Sequence, residues 1–77
     1  MQPLFDRITV NREIMNGQPT IRGMRLTVKR VLEAISLYPN RQELFKEYPD
    51  LEEADIKQAL DYAASYIEDQ NINLKVA

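Results

Sequence analysis

Pro39 and Pro49 stand ten positions apart, and a helix ends at or before the residue preceding a proline. Helical structure beyond the first third of the chain is therefore cut into three pieces. Val28, Val31, Leu32 and Ile35 recur at i, i+3, i+4 and i+7, one apolar helical face. Thr27 is the N-cap candidate of that first helix, and Pro39 stops it near Leu37 or Tyr38. A short second helix starts from Asn40, with Glu43 as capping-box partner, and turns Leu44, Phe45 and Tyr48 inward. The third helix has two competing registers. Glu52 is the cap if Leu51 and Ile56 form a hydrophobic staple; Asp50 is the cap if Glu53 completes a capping box. Its expected buried face is Ile56, Ala59, Leu60, Ala63 and Ile67, and the small Ala59, Ala63 and Ala64 admit a close neighbour.

Ahead of Thr27 the chain reads as extended. Phe5, Arg7 and Thr9 alternate with Asp6, Ile8 and Val10, and β-formers flank Gly23 between Ile21 and Val28. The chain's two glycines, Gly17 and Gly23, lie on either side of Pro19 and mark tight turns, so a hairpin is compatible. They do not form a phosphate loop, because Met24 and Arg25 follow Gly23 where Lys and Ser or Thr would stand. After Gln70 the period returns to two, with Ile72, Leu74 and Val76 alternating with Asn71, Asn73 and Lys75. The expected fold is mainly α. It is a small three-helix, helix-turn-helix-like domain over residues 1–69, with a short β or extended N-terminal segment and an extended C-terminal tail over 70–77.

At 77 residues this is one small domain with a marginal core. Without histidine or cysteine it lacks a disulfide and the usual ligands of a structural zinc site, so a homo-oligomer or a partner is expected to supply further burial. No metal and no cofactor is expected. No apolar run spans a membrane and the N-terminus does not read as a signal peptide, so the expected location is cytoplasmic. Catalysis has little to stand on. Ser36 and Ser65 fall in helices without a visible base, and the third helix's carboxylates sit mostly where solvent should be.

The net charge of −2 hides a polarity. Residues 7–30 carry Arg7, Arg12, Arg22, Arg25, Lys29 and Arg30 against Glu13 alone, whereas residues 52–69 are acidic except for Lys57. Reading of a DNA groove by the third helix is disfavoured, because Glu52, Glu53 and Asp55 at its start repel phosphates and only Lys57 and Gln58 suit the task. Arg22, Arg25, Lys29 and Arg30 are the better nucleic-acid candidates, through backbone phosphates. Equally, these arginines pair with third-helix carboxylates of the same chain or of a dimer mate. Tyr62 and Tyr66, one turn apart, read as cover for a dimer or partner interface.

Taken together, Arg7-Ile8-Thr9, Gly17-x-Pro19-x-Ile21-x-Gly23-x-Arg25-x-x-Val28, Glu47-Tyr48-Pro49-Asp50-Leu51 and Asp55-Ile56-x-x-Ala59-Leu60-x-Tyr62-Ala63-Ala64 resemble the bacterial domain-of-unknown-function family 433. The resemblance covers about residues 5–66 and leaves the tail outside it. It implies a helix-turn-helix type domain behind a β-rich N-terminal segment, similar to antitoxins of VapB type. It also implies a partner, a small PIN-like, metal-dependent ribonuclease toxin. On that reading Arg22, Arg25 and Lys75 are the candidate inhibitory groups, with Ile72, Leu74 and Val76 as apolar anchors. The competing expectation is a dimeric DNA-binding regulator that uses the basic N-terminal segment.

Overall fold

The computed structural model describes residues 5–67. The expected tail strand with Ile72, Leu74 and Val76 lies outside the described residues. In chain order the elements are β1 (Ile8–Thr9), one 3₁₀ turn (Met15–Gly17), β2 (Thr20–Ile21), α1 (Val28–Leu37), α2 (Arg41–Glu47) and α3 (Glu53–Ser65). The domain is mainly α, with a small antiparallel sheet in which Ile8 faces Ile21 and Thr9 faces Thr20.

The strands are shorter than the alternation suggests because the chain bends on both sides of β2. Before it, Met15, Asn16 and Gly17 take left-handed backbone angles in succession (φ 50°, 59° and 79°). Glycine adopts that region freely and asparagine tolerates it better than most residues. After it, Arg22 and Gly23 repeat the left-handed conformation (φ 47° and 73°), and the Met24 amide donates back to the Ile21 carbonyl at 2.8 Å. Residues 22–27, expected as extended, are therefore a tight loop between β2 and α1. It is closed by Ile21 N–H to the Leu26 carbonyl at 2.9 Å and by Val28 N–H to the Pro19 carbonyl at 3.0 Å. The Thr9 hydroxyl fastens the loop to β1 by accepting from the Gly23 amide at 3.0 Å.

The helices begin and end where local chemistry dictates. The Thr27 hydroxyl accepts from the Arg30 amide at 3.0 Å, and α1 stops at Leu37, two residues before Pro39. Asn40 Oδ1 accepts from the Gln42 and Glu43 amides at 2.8 and 3.2 Å, the first half of the expected box. For α3 the Glu52 register wins: the Asp55 carboxylate accepts from the Glu52 amide at 2.9 Å, and Leu51 and Ile56 are both buried.

The core is Ile21, Val28, Val31, Ala34, Leu44, Leu51, Ile56 and Ala59, drawn from β2, the three helices and the turn before α3. Fully burying a side chain such as Leu44 or Ile56 is worth about 2 kcal/mol. Two residues expected on the buried face of α3 are not there. Leu60 is 46% exposed and Ile67, beyond the helix end, is 72% exposed. Arg41 of α2 pairs with Glu53 at 3.1 Å, which seats α2 against the start of α3.

Candidate functional site

The sequence places Asp55 at the third position of α3, where a carboxylate turns back over the helix N-terminus and suits its partial positive charge. The fold then brings two arginines to it. Arg7 precedes β1 and Arg22 follows β2, so pairing the strands sets both on one side of the hairpin, and the Arg22 amide donates to the Arg7 carbonyl at 2.8 Å. Asp55 Oδ1 accepts from Arg7 Nη1 at 2.8 Å and from Arg22 Nε at 3.1 Å. Asp55 Oδ2 accepts from Arg22 Nη2 and from the Glu52 amide, both at 2.9 Å. Four donors thus occupy a side chain with no solvent exposure. Arg7 Nη1 also donates to Glu52 Oε1 at 2.9 Å, and Arg22 Nη2 to the Asp50 carbonyl at 2.7 Å.

Burial on its own would push the Asp55 carboxyl up, because a charge is poorly solvated inside the protein. The hydrogen bonds from Arg22 and Arg7, helped by the Glu52 amide, outweigh it and hold Asp55 below the ordinary carboxylate range. Both guanidiniums are shifted up, Arg7 first through its bond to Glu52 and Arg22 through its bond to Asp55. A carboxylate this saturated with donors has no lone pair left to act as a base. The cluster is a clasp that holds the N-terminal hairpin to the start of α3.

That arrangement sorts the candidate residues. Arg22, expected as an inhibitory or phosphate-binding group, spends its guanidinium on Asp55 and Asp50. It realises the alternative in which these arginines pair with third-helix carboxylates of the same chain. Asp55 is accordingly the exception to the expectation that those carboxylates face solvent. Arg7 was not singled out, although its place in the basic segment, two residues from Thr9, was the available signal. Arg25 is exposed and, among the described residues, has no ion-pair partner within 4.0 Å. Lys29 and Arg30 share Glu33 at 3.9 and 3.6 Å, loose contacts on an exposed helix. Lys75, Ile72, Leu74 and Val76 fall outside the described residues. Gly17 and Gly23 occupy their left-handed turns, and Pro19 contributes its carbonyl to Val28.

The two groups on α3 suited to a DNA groove are already engaged. Lys57 Nζ holds Asp61 Oδ2 at 2.9 Å, while Gln58 accepts from the Arg7 amide at 2.9 Å and donates to Asp6 at 2.7 Å. No group of three or more His, Cys, Asp or Glu side chains among the described residues is placed to hold a metal ion. No described helix is long and apolar enough to cross a membrane.

A groove of about 240 Å³ opens between the first turn of α1, the Gln18–Pro19 corner and the last turn of α3. Val28, Leu32, Tyr62, Ala63 and Tyr66 line it, with Lys29 at the rim. The Tyr62 ring meets Phe5 edge-on at 5.3 Å and Tyr66 at 5.1 Å, so one tyrosine is packed while Tyr66 stays 71% exposed.

Against known proteins, residues 8–63 match the model of a family described as "Protein of unknown function (DUF433)". The chain belongs to the DUF433 family. The match runs from the first residue of β1 into the last turn of α3, so the family's common unit contains the hairpin, the three-helix core and Asp55. No curated protein and no solved structure matches this DUF433 chain significantly.

Proposed function

We propose that this DUF433 chain is an antitoxin-like, protein-binding module that neutralises a PIN-like, metal-dependent ribonuclease. The observation that supports the reading best is the open apolar surface at the end of α3, where Leu60 and, just past the helix, Ile67 stand exposed. Large apolar side chains left open on so small a domain suit a protein partner better than a small ligand or a phosphate backbone. A nuclease of that class gathers carboxylates around its metal, and a guanidinium pairs with such carboxylates through charge-assisted, two-point hydrogen bonds. Of Arg22 and Arg25, the arginines expected in this role, Arg25 is the one available, because Arg22 is committed to Asp55. Lys75, with Ile72, Leu74 and Val76, belongs to the same reading as the anchor beyond the described residues. The helix-turn-helix kinship, a dimeric state and a cytoplasmic location are parts of the same proposal.

The test is co-expression with the product of the neighbouring gene, followed by size exclusion and a ribonuclease assay. A co-eluting, inactive complex is the expected result; separate elution with undiminished nuclease activity overturns the reading.

A second reading, a DNA-binding regulator, draws on Arg25, Lys29 and Arg30, which among the described residues are unpaired or only loosely paired. It expects binding to the gene's own upstream DNA with a steep salt dependence. A mobility shift at low salt, with and without the protein partner, decides it.

A further inference from the structure

We propose that the groove between α1 and α3 is the seat of the chain's own C-terminal segment, residues 72–76. The groove is lined by Tyr62, Ala63 and Tyr66, and the described chain leaves it at Ile67, one residue further on. Ten residues follow, 68–77, so the nearest apolar sequence to this apolar wall is covalently attached to it. Ile72, Leu74 and Val76 stand at alternate positions, which on extended backbone project from one side. Between Ile67 and Ile72 lies Glu68-Asp69-Gln70-Asn71, whose Asp and Asn are turn formers able to reverse the chain. Four residues span up to about 13 Å, and Ala63 lies only about 6 Å back along the helix from Ile67, so the reach is sufficient.

Charge agrees with the placement. Lys29 stands at the rim, and its one described partner is Glu33 at 3.9 Å. A returning segment brings Glu68 and Asp69 past that rim, whereas Lys75 lies on the side of the strand opposite the apolar three. A tethered segment sees its own groove at an effective concentration in the millimolar range, well above a second copy at ordinary protein concentrations. The inference stands on the groove and the segment and is independent of the proposed ribonuclease. A partner that takes Ile72, Leu74 and Val76 competes with the groove for them.

The experiment is methyl NMR on the full 77-residue chain, with sedimentation on the same sample. Expected are contacts from the Leu74 and Val76 methyls to Leu32, Ala63 and the Tyr66 ring, whether sedimentation gives one chain of 9.0 kDa or a dimer. In a mixture of labelled and unlabelled chains these contacts remain within a single chain. Absence of such contacts overturns the proposal, and so does their appearance only between chains. Leu74→Asp, outside the core, provides a second arm. It shifts the Leu32 and Ala63 signals and speeds amide exchange over residues 72–76 by about tenfold or more. Unmoved Leu32 and Ala63 signals overturn the proposal.

Discussion

Arg22 and Asp55 meet through two parallel hydrogen bonds, Nε to Oδ1 at 3.1 Å and Nη2 to Oδ2 at 2.9 Å. The planar guanidinium matches the carboxylate, so the contact fixes orientation as well as distance. Since Arg7 binds the same carboxylate, one side chain on α3 holds both strands of the hairpin. Lysine, a point charge without the fork, does not replace either arginine on equal terms.

Asp55→Asn should therefore destabilise the domain by about 3 kcal/mol. The amide keeps the shape but loses the charge and places an N–H₂ where donors already converge. Asp61→Asn, which loosens only the exposed pair with Lys57, should cost about 0.5 kcal/mol or less. Urea unfolding of both variants checks the contrast.

The same carboxylate gives a pH dependence of defined sign. Its folded pKa lies below its unfolded value, so its stabilisation is complete above the ordinary carboxylate range near about pH 4. It is lost as the pH falls from there through the lower folded value. Wild type minus Asp55→Asn stability, measured by urea unfolding, should be constant from neutral pH down to that range and shrink below it.

Gly23→Ala should cost about 1 kcal/mol through backbone strain alone. A Cβ at Gly23 meets nothing within 4 Å, so the penalty comes from φ at +73°. Gly23→Asn should cost less, because asparagine tolerates that conformation better. Thermal melts of the two variants give the order.

Asn40→Ala removes the acceptor for two orphan amides of α2 and should cost about 1 kcal/mol. The Leu44 methyl signals should broaden with it, since that short helix carries Leu44 into the core.

Leu60→Ser and Ile67→Ser should alter stability by about 0.5 kcal/mol or less, because neither side chain is buried. Under the proposed function both should weaken the ribonuclease complex, with unchanged complex yield in co-expression counting against this flank as the docking surface.

The helix ends were legible in the sequence because their causes are local. Thr27, Asn40 and Glu52 cap within three residues, and Pro39 and Pro49 act on their immediate neighbours. The choice between Asp50 and Glu52 was not, since it depends on whether Leu51 and Ile56 pack into the core. The family was legible as well, from motifs spread along most of the match. The clasp was visible only as a charge polarity between the two halves of the chain. Which arginines close on which carboxylate depends on contacts 33 and 48 residues apart, and no short-range pattern carries that information. Leu60 was misread for a related reason: periodicity marks an apolar flank, but tertiary packing decides how much of it is covered.

The Arg7 to Asp55 contact also orders events during synthesis. Chain growth is vectorial, and Arg7 leaves the ribosome 48 residues ahead of the group that anchors it. Until α3 emerges, the hairpin has two-residue strands and no clasp, too little to hold shape alone. The N-terminal hairpin therefore waits for α3, and the domain settles as one unit only once that helix has emerged.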